Sequence, residues 1–425
     1  MATKQRCVLF VFDGLMEDQA DDPEVMPRLA AFRKEAARMR THRPIFPCVT
    51  RGNAAAIATG TFPGTHGFNA NQLLMRDLDA DAPTEATQTS LTRLHAATGQ
   101  AMLTPSMGEM LASHGLQYWG LGSWTNGCAI MHHPPDDAPD GSTGAALHNE
   151  FSMPPSANER AAERFGPWPK FEPYPSEADY HAGTEQMKYA LRLATEWIIP
   201  EEDPAVLCLW TCEPDHVQHY SGTGSGNEEM TLILGRADAQ FGGFLDWLES
   251  TGRREHTNVL AMSDHGHYTI MPPPEQLQAN GSAGIDAISF ATVLEQGLGL
   301  TAPRCVSADN AGGVMLYLQD AEDIELVAAW LMAQDFVGPV LATEARGVPL
   351  PEGALPLYCL GMEGPRAPDL AFSFAWDDRV NEWGQQYFNF QAGKVNLAGG
   401  LAGLVSSSSS TLTCLTTLRV RLDLT

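Results

Sequence analysis

The sequence predicts an α/β fold built on a mostly parallel central sheet, and three observations carry that prediction. Val8-Leu9-Phe10-Val11-Phe12, Val206-Leu207-Cys208-Leu209-Trp210 and Val259-Leu260-Ala261-Met262 are short continuous apolar runs, as expected of strands covered on both faces. Segments of helical periodicity separate them, the alternation that crossover connections produce. Each run ends in metal-binding or acid–base side chains: Asp13 after the first, Asp215 and His219 after the second, Asp264 and His265 after the third. Open α/β sheets build their sites at that end of their strands.

The elements follow in order. Residues 6–12 form the first strand, closed by Asp13-Gly14. From Pro27 to about Arg40, Leu29, Phe32, Ala36 and Met39 recur at helical spacing. Pro44 and Pro47 interrupt the chain, and Asn53 to Thr59 reads as a short helix closed by Gly60, so Thr50 falls at or just before a helix N-terminus. Residues 125–180, rich in Pro, Gly, His and acids, read as an irregular lid. Helices are expected over 184–197, with Met187, Ala190, Leu191, Ala194 and Trp197 on one face, and over roughly 229–250. Gly313–Leu318 reads as a strand and Ile324–Ala333 as a helix of a small inserted α+β subdomain. The expected organisation is a metal-binding core over 1–270, the insertion over 271–365, a return to the core over 366–400 and an atypical tail over 401–425. The tail loses its patterning and carries the low-complexity run Ser406–Ser410. A shifted reading frame near residue 400 would explain this, and resequencing checks it.

Composition narrows the function. The 52 acidic residues outnumber 26 Lys and Arg, for a net charge of −26. Nucleic-acid backbones are held by Lys and Arg, so no polymeric nucleic-acid partner is expected. A small anionic substrate would need local positive charge, which divalent metals supply. No run of 18 apolar residues exists, so no membrane span is expected. The N-terminus enters the first strand without a secretory leader, and the eight scattered cysteines show no framework spacing. A cytoplasmic location is the expectation.

Asp13, Asp215, His219, Asp264 and His265 offer oxygen and nitrogen donors that suit zinc, with manganese or iron as substitutes. Asp215 and His219 are spaced so that a loop or one helical turn could aim both at one ion, and Asp264 and His265 converge on a turn. The donors are too many for one tetrahedral ion, which makes two ions the natural count. Thr50, in Phe46-Pro47-Cys48-Val49-Thr50-Arg51-Gly52-Asn53, is the candidate nucleophile, and Asn53 can donate its amide to a phosphoryl oxygen. Singly, each has a plainer reading: Asp13-Gly14 as a turn, Thr50 as a helix cap. Their order along one chain is far more specific than any one of them.

These words resemble the type I phosphodiesterase/nucleotide pyrophosphatase branch of the alkaline phosphatase superfamily, to which phosphonoacetate hydrolase also belongs. The words are Asp13-Gly14, Pro47 to Asn53, Thr59-Gly60-Thr61-Phe62-Pro63-Gly64-Thr65-His66-Gly67, Pro214 to His219, and Ser263-Asp264-His265-Gly266. The resemblance implies an alkaline-phosphatase-like three-layer sandwich. It implies that Asp13, Asp264, His265 and the Thr50 oxygen hold one metal, and that Asp215 and His219 hold the other. Thr50 would attack phosphorus to give a phospho-threonyl intermediate, with Asn53 on the non-bridging oxygens. The implied substrate is a small phosphodiester, pyrophosphate or phosphonate, with phosphomonoester as an alternative. His66 is read as structural.

One departure stands out. The family closes its second metal site with a histidine near the C-terminus, whereas the last histidine here is His267, and Gly399-Gly400-Leu401-Ala402-Gly403 occupies the corresponding stretch. Either His216, His267 or another residue substitutes, or the chain binds metal or a phospho-ligand without turnover. Trp124, Asn126, His132 and His133 are candidates for lining the leaving-group pocket, each with packing as the plainer reading.

Overall fold

The structure is a computed structural model that describes residues 5–39, 42–125, 127, 129–132, 143–172, 180–221, 227–270, 290–310, 312–380, 386–388, 404–406 and 416–419. Among these residues the central sheet has eight strands, in the order Ala37–Arg38, Thr416–Arg419, Thr257–Ser263, Arg6–Phe12, Val206–Thr211, Tyr118–Gly122, Gly144–His148 and Phe151–Met153. The five from Thr257–Ser263 to Gly144–His148 are mutually parallel. The outer strands add antiparallel at both edges.

Alternation along the first strand builds the layers. Val8, Phe10 and Phe12 face helices Pro27–Glu35, Ala182–Leu193 and Glu228–Ser250, packing among Leu29, Phe32, Met187, Ile233 and Phe241. Leu9 and Val11 face the other side, with Val49 and with Ala54, Ala55 and Ala58 of helix Thr50–Thr59. Both faces are covered, so the strands are apolar throughout.

A second, five-stranded sheet runs Cys305–Asn310, Gly313–Leu318, Leu370–Phe374, Val337–Ala342 and Leu355–Pro356. Leu316, Leu318, Leu370 and Phe372 turn toward helices Phe290–Leu298 and Asp323–Met332. Val306, Ala308, Met315, Tyr317 and Ala371 turn the other way and join the core beneath helix Thr50–Thr59. The α+β unit is thereby docked on one face of the main sheet.

Several expectations need correction. The helix that begins at Pro27 stops at Glu35, not near Arg40: Ala36 is extended, and Ala37–Arg38 pairs with Thr416–Arg419. Within the stretch read as irregular, Gly144–His148 and Phe151–Met153 are strands of the central sheet, and Ser156–Phe165 is a helix. Leu370–Phe374 belongs to the second sheet, which therefore extends beyond residue 365. The tail contributes two short strands, Leu404–Ser406 and Thr416–Arg419; the serines after Ser406 lie outside the described residues.

Candidate active site

Strand register sets the site. Phe12 lies level with Thr211 on one side and Ser263 on the other, so all three strands end on one line. The chain beyond each strand then delivers its acid at the same rim. The Asp13 N–H donates to Thr211 O at 3.0 Å, and the Asp215 N–H donates to Asp13 O at 3.0 Å. The Gly14 and His265 N–H groups both donate to Asp264 Oδ1, at 3.1 and 2.9 Å. That leaves Asp264 Oδ2 facing His265 Nε2 at 3.4 Å.

His265 is the hub. Its Nε2 lies 3.0 Å from Thr50 Oγ1, 3.3 Å from Asp13 Oδ1 and 3.9 Å from Asp215 Oδ1. On the other ring edge Nδ1 lies 3.1 Å from Gly266 O. A carbonyl can only accept, so Nδ1 carries the proton, and in the neutral ring Nε2 presents a lone pair to the cluster. Thr50 is half-buried, while Asp13, Asp264 and His265 are buried.

Asp215 opens helix Asp215–Ser221, and one turn on His219 Nε2 reaches Asp215 Oδ2 at 3.3 Å. This is the single-turn arrangement that the spacing allowed. His267 Nε2 contacts Asp215 Oδ1, and its ring stands 5.3 Å from that of His219 and 5.4 Å from that of His265. Two groups of donor atoms could each surround an ion: Asp13 with Asp264 and His265, and Asp215 with His265 and His267.

The electrostatics favour a cation. Burial, with Asp215 nearby, raises Asp13; burial, with Asp13 nearby, raises Asp264 well above the usual carboxylate range. Burial alone would lower His265, but Asp264, Asp13 and Asp215 lift it to about 10. Burial opposes ionisation of Asp215, yet His219 and His267 hold it well below the usual range. Asp13 Oδ1 and Asp264 Oδ2 are buried with no hydrogen bond of normal geometry. Three crowded carboxylates, two of them with orphaned oxygens, fit a dication, which would relieve their repulsion.

Of the remaining predicted residues, Asn53 is buried, with Oδ1 accepting from the Ile45 N–H at 2.9 Å and Nδ2 donating to Val49 O at 3.0 Å. Its amide thus fixes the loop that carries Thr50 and keeps one further N–H. Helix Thr50–Thr59 does start at Thr50, but its Arg51 N–H is already taken by Asn71 Oδ1. Trp124 sits at the same rim with φ of 53°, stacked on Phe171 and edge-on to His216. His132 is packed inside, bonded to the Tyr118 hydroxyl at 2.9 Å and edge-on to Trp210. Asn126 and His133 lie outside the described residues. Sequence reading passed over Trp210, whose Nε1 donates to Asp13 Oδ2 at 3.0 Å, because an indole inside a strand reads as core.

Acids and imidazoles gather around a hydroxyl at the rim of a parallel sheet, on a fold of the alkaline-phosphatase-like kind. The chain belongs to the type I phosphodiesterase/nucleotide pyrophosphatase family, whose profile matches residues 7–280. It is similar in structure to phosphonoacetate hydrolase from Sinorhizobium meliloti 1021 in complex with phosphonoformate, with a TM-score of 0.65 and 16% identity over 99% of this chain and 92% of that one. It is also similar to an inactive variant of murine ectonucleotide pyrophosphatase/phosphodiesterase 5 in complex with AMP, with a TM-score of 0.61 and 13% identity over 98% and 88%. No curated protein sequence matches the chain. Among the described residues no helix is long and apolar enough to cross a membrane.

Proposed function

We propose that the chain hydrolyses small phosphodiester, pyrophosphate or phosphonate substrates, with Thr50 as nucleophile. The observation that carries the reading is the Thr50 hydroxyl, half-exposed and 3.0 Å from His265 Nε2 inside the Asp13–Asp264–His265 group. Asp13, Asp264, His265 and the Thr50 oxygen would hold one divalent ion, and Asp215 with His219 the other; zinc suits the donors, with manganese or iron as substitutes. Two such ions, when bound, supply Lewis acidity that favours the Thr50 alkoxide and neutralises charge gathering on phosphorus.

The chain's own residues do the rest. Thr50 loses its hydroxyl proton to solvent and its oxygen bonds to phosphorus, while the bond to the leaving group breaks and takes the electron pair. Water then cleaves the resulting phospho-threonine and restores the hydroxyl. Asn53 positions the Thr50 loop and offers its remaining N–H to a non-bridging oxygen. Residues Cys7, Cys48, Cys208, Cys212, Cys305 and Cys359 are free thiols, which supports a reducing, cytoplasmic setting.

The test is a panel of a bis-nitrophenyl phosphodiester, a nucleotide with a pyrophosphate bond, a phosphonate and a nitrophenyl monoester, each with and without a chelator. Chelator-sensitive turnover of a diester, pyrophosphate or phosphonate above the monoester supports the reading. Activity indifferent to chelation, or confined to the monoester, overturns it.

A further inference from the structure

The Asp215–His219 pair supplies two protein ligands, and the chain has no histidine after His267. Tightly bound catalytic zinc generally keeps three protein ligands and an open position. We infer that His267 is the third protein ligand of this ion, through Nε2, in place of an imidazole from the C-terminal part of the chain. The inference rests on the two-metal reading above.

Three observations support it. His267 Nε2 already contacts Asp215 Oδ1, and with His265 the two residues form a donor group compact enough to surround one ion, while His219 approaches the other oxygen of Asp215. The His267 and His219 rings stand 5.3 Å apart and nearly perpendicular, at 82°, and each reaches one oxygen of the Asp215 carboxylate, His267 to Oδ1 and His219 to Oδ2. Space for His267 is made by Gly14, where a Cβ would meet the ring's Cδ2 and Nε2 at 2.7 Å and the Asp215 Cβ at 3.0 Å. Gly14 has φ of 70°, which also suits glycine. The turn after the first strand therefore holds open the place that this imidazole fills. Among the described residues, the other imidazole that reaches Asp215 is His265, which the Asp13–Asp264 group engages.

An imidazole that merely hydrogen-bonds Asp215 would sit nearby without touching the ion, so the experiment must report direct ligation. Calorimetric titration of metal-free full-length protein with Zn2+ should show two tight sites, and His267→Ala should weaken one of them at least tenfold, the scale already seen when only supporting groups are removed. In a second arm, His267→Cys is loaded with Co2+. A thiolate bound to cobalt gives an intense near-ultraviolet charge-transfer band, whereas a thiolate outside the coordination sphere gives none. The band at the weaker site is the expected result. Two undiminished zinc sites in His267→Ala, or cobalt bound by His267→Cys without the band, overturns the inference and leaves the hydrolase reading intact. Fewer than two zinc sites in the wild type overturns both. Should His267→Ala fail to fold, the cobalt arm decides alone.

Discussion

Thr50 Oγ1 and His265 Nε2, 215 residues apart in sequence, lie 3.0 Å from each other. Two unrelated pieces of local structure create that distance. Thr50 is held at the head of its helix by the Asn53 amide, which ties the loop at Ile45 and Val49. His265 is turned by the bond between its Nδ1 and Gly266 O and by its position two residues past a strand end. The hydroxyl is half-exposed beside buried carboxylates.

Thr50→Ala should lower kcat for a nitrophenyl phosphodiester by at least about 1,000-fold, the scale of losing a covalent nucleophile whose binding partners remain. Bound metal, measured by elemental analysis, should stay close to the wild-type value, since Asp13, Asp264 and His265 are untouched. Thr50→Ser keeps the oxygen and should retain substantial activity. Equal kcat for Thr50→Ala and wild type would remove the residue from its role.

Asp264→Asn should separate stability from metal binding. The charged form of Asp264 is disfavoured by burial and then by Asp13. A neutral amide removes that repulsion while its oxygen can still accept from the Gly14 and His265 N–H groups. The chelated variant should therefore be more stable than chelated wild type, by about 1 kcal/mol. The rise in melting temperature on adding zinc should shrink sharply. Thermal unfolding with and without chelator checks both signs, and a less stable chelated variant would contradict the electrostatic account.

Much of this was legible in the sequence, for a physical reason. Strands buried on both faces read as unbroken apolar runs, so Val8–Phe12, Val206–Trp210 and Val259–Met262 marked the sheet and the acids after them marked its rim. Gly144–His148 escaped because Gly-Ala-Ala-Leu-His is short, mostly small, and follows a stretch rich in Pro and Asp that masks periodicity. The end of helix Pro27–Glu35 escaped because Ala36 and Met39 keep the apolar spacing; pairing with residues 416–419 is a tertiary event no local pattern records. His267 was visible as a residue, but its aim at Asp215 depends on Gly14, 253 positions away. Asn53 was legible as an amide one turn from Thr50, whereas its bonds to Ile45 and Val49 required the folded loop.

Gly64 should tolerate no side chain. In the Thr59–Gly67 segment, a Cβ at Gly64 would lie 2.0 Å from Glu363 O, and one at Gly364 would lie 2.1 Å from Gly64 O. The Gly64 N–H also donates to Gly361 O at 2.8 Å. Two backbones are in direct contact here, joining the turn after helix Thr50–Thr59 to the α+β unit. Gly64→Ala forces backbone apart rather than a flexible side chain, and should cost about 3 kcal/mol. A chemical-denaturation midpoint measures this, and a loss under about 0.5 kcal/mol would show that the junction is loose.

The fold should weaken steadily below neutral pH because buried histidines cannot accept protons. Burial pushes His66, His132 and His148 each down to about 4. In the unfolded chain they titrate near 6.5. Between those values the unfolded state binds the extra protons, so stability is complete above about pH 6.5 and falls as pH drops toward 4. Each histidine costs up to about 3 kcal/mol over that window. His148 is the best to probe, because its Nδ1 accepts from the Glu150 N–H at 3.2 Å and an asparagine oxygen can take that place. Unfolding should be followed at pH 7, 6 and 5 with chelator present, so that zinc release does not contribute. His148→Asn should make the loss between pH 6 and 5 shallower by about 1.2 kcal/mol. Parallel curves for variant and wild type would mean that the His148 imidazole is protonated in the folded protein.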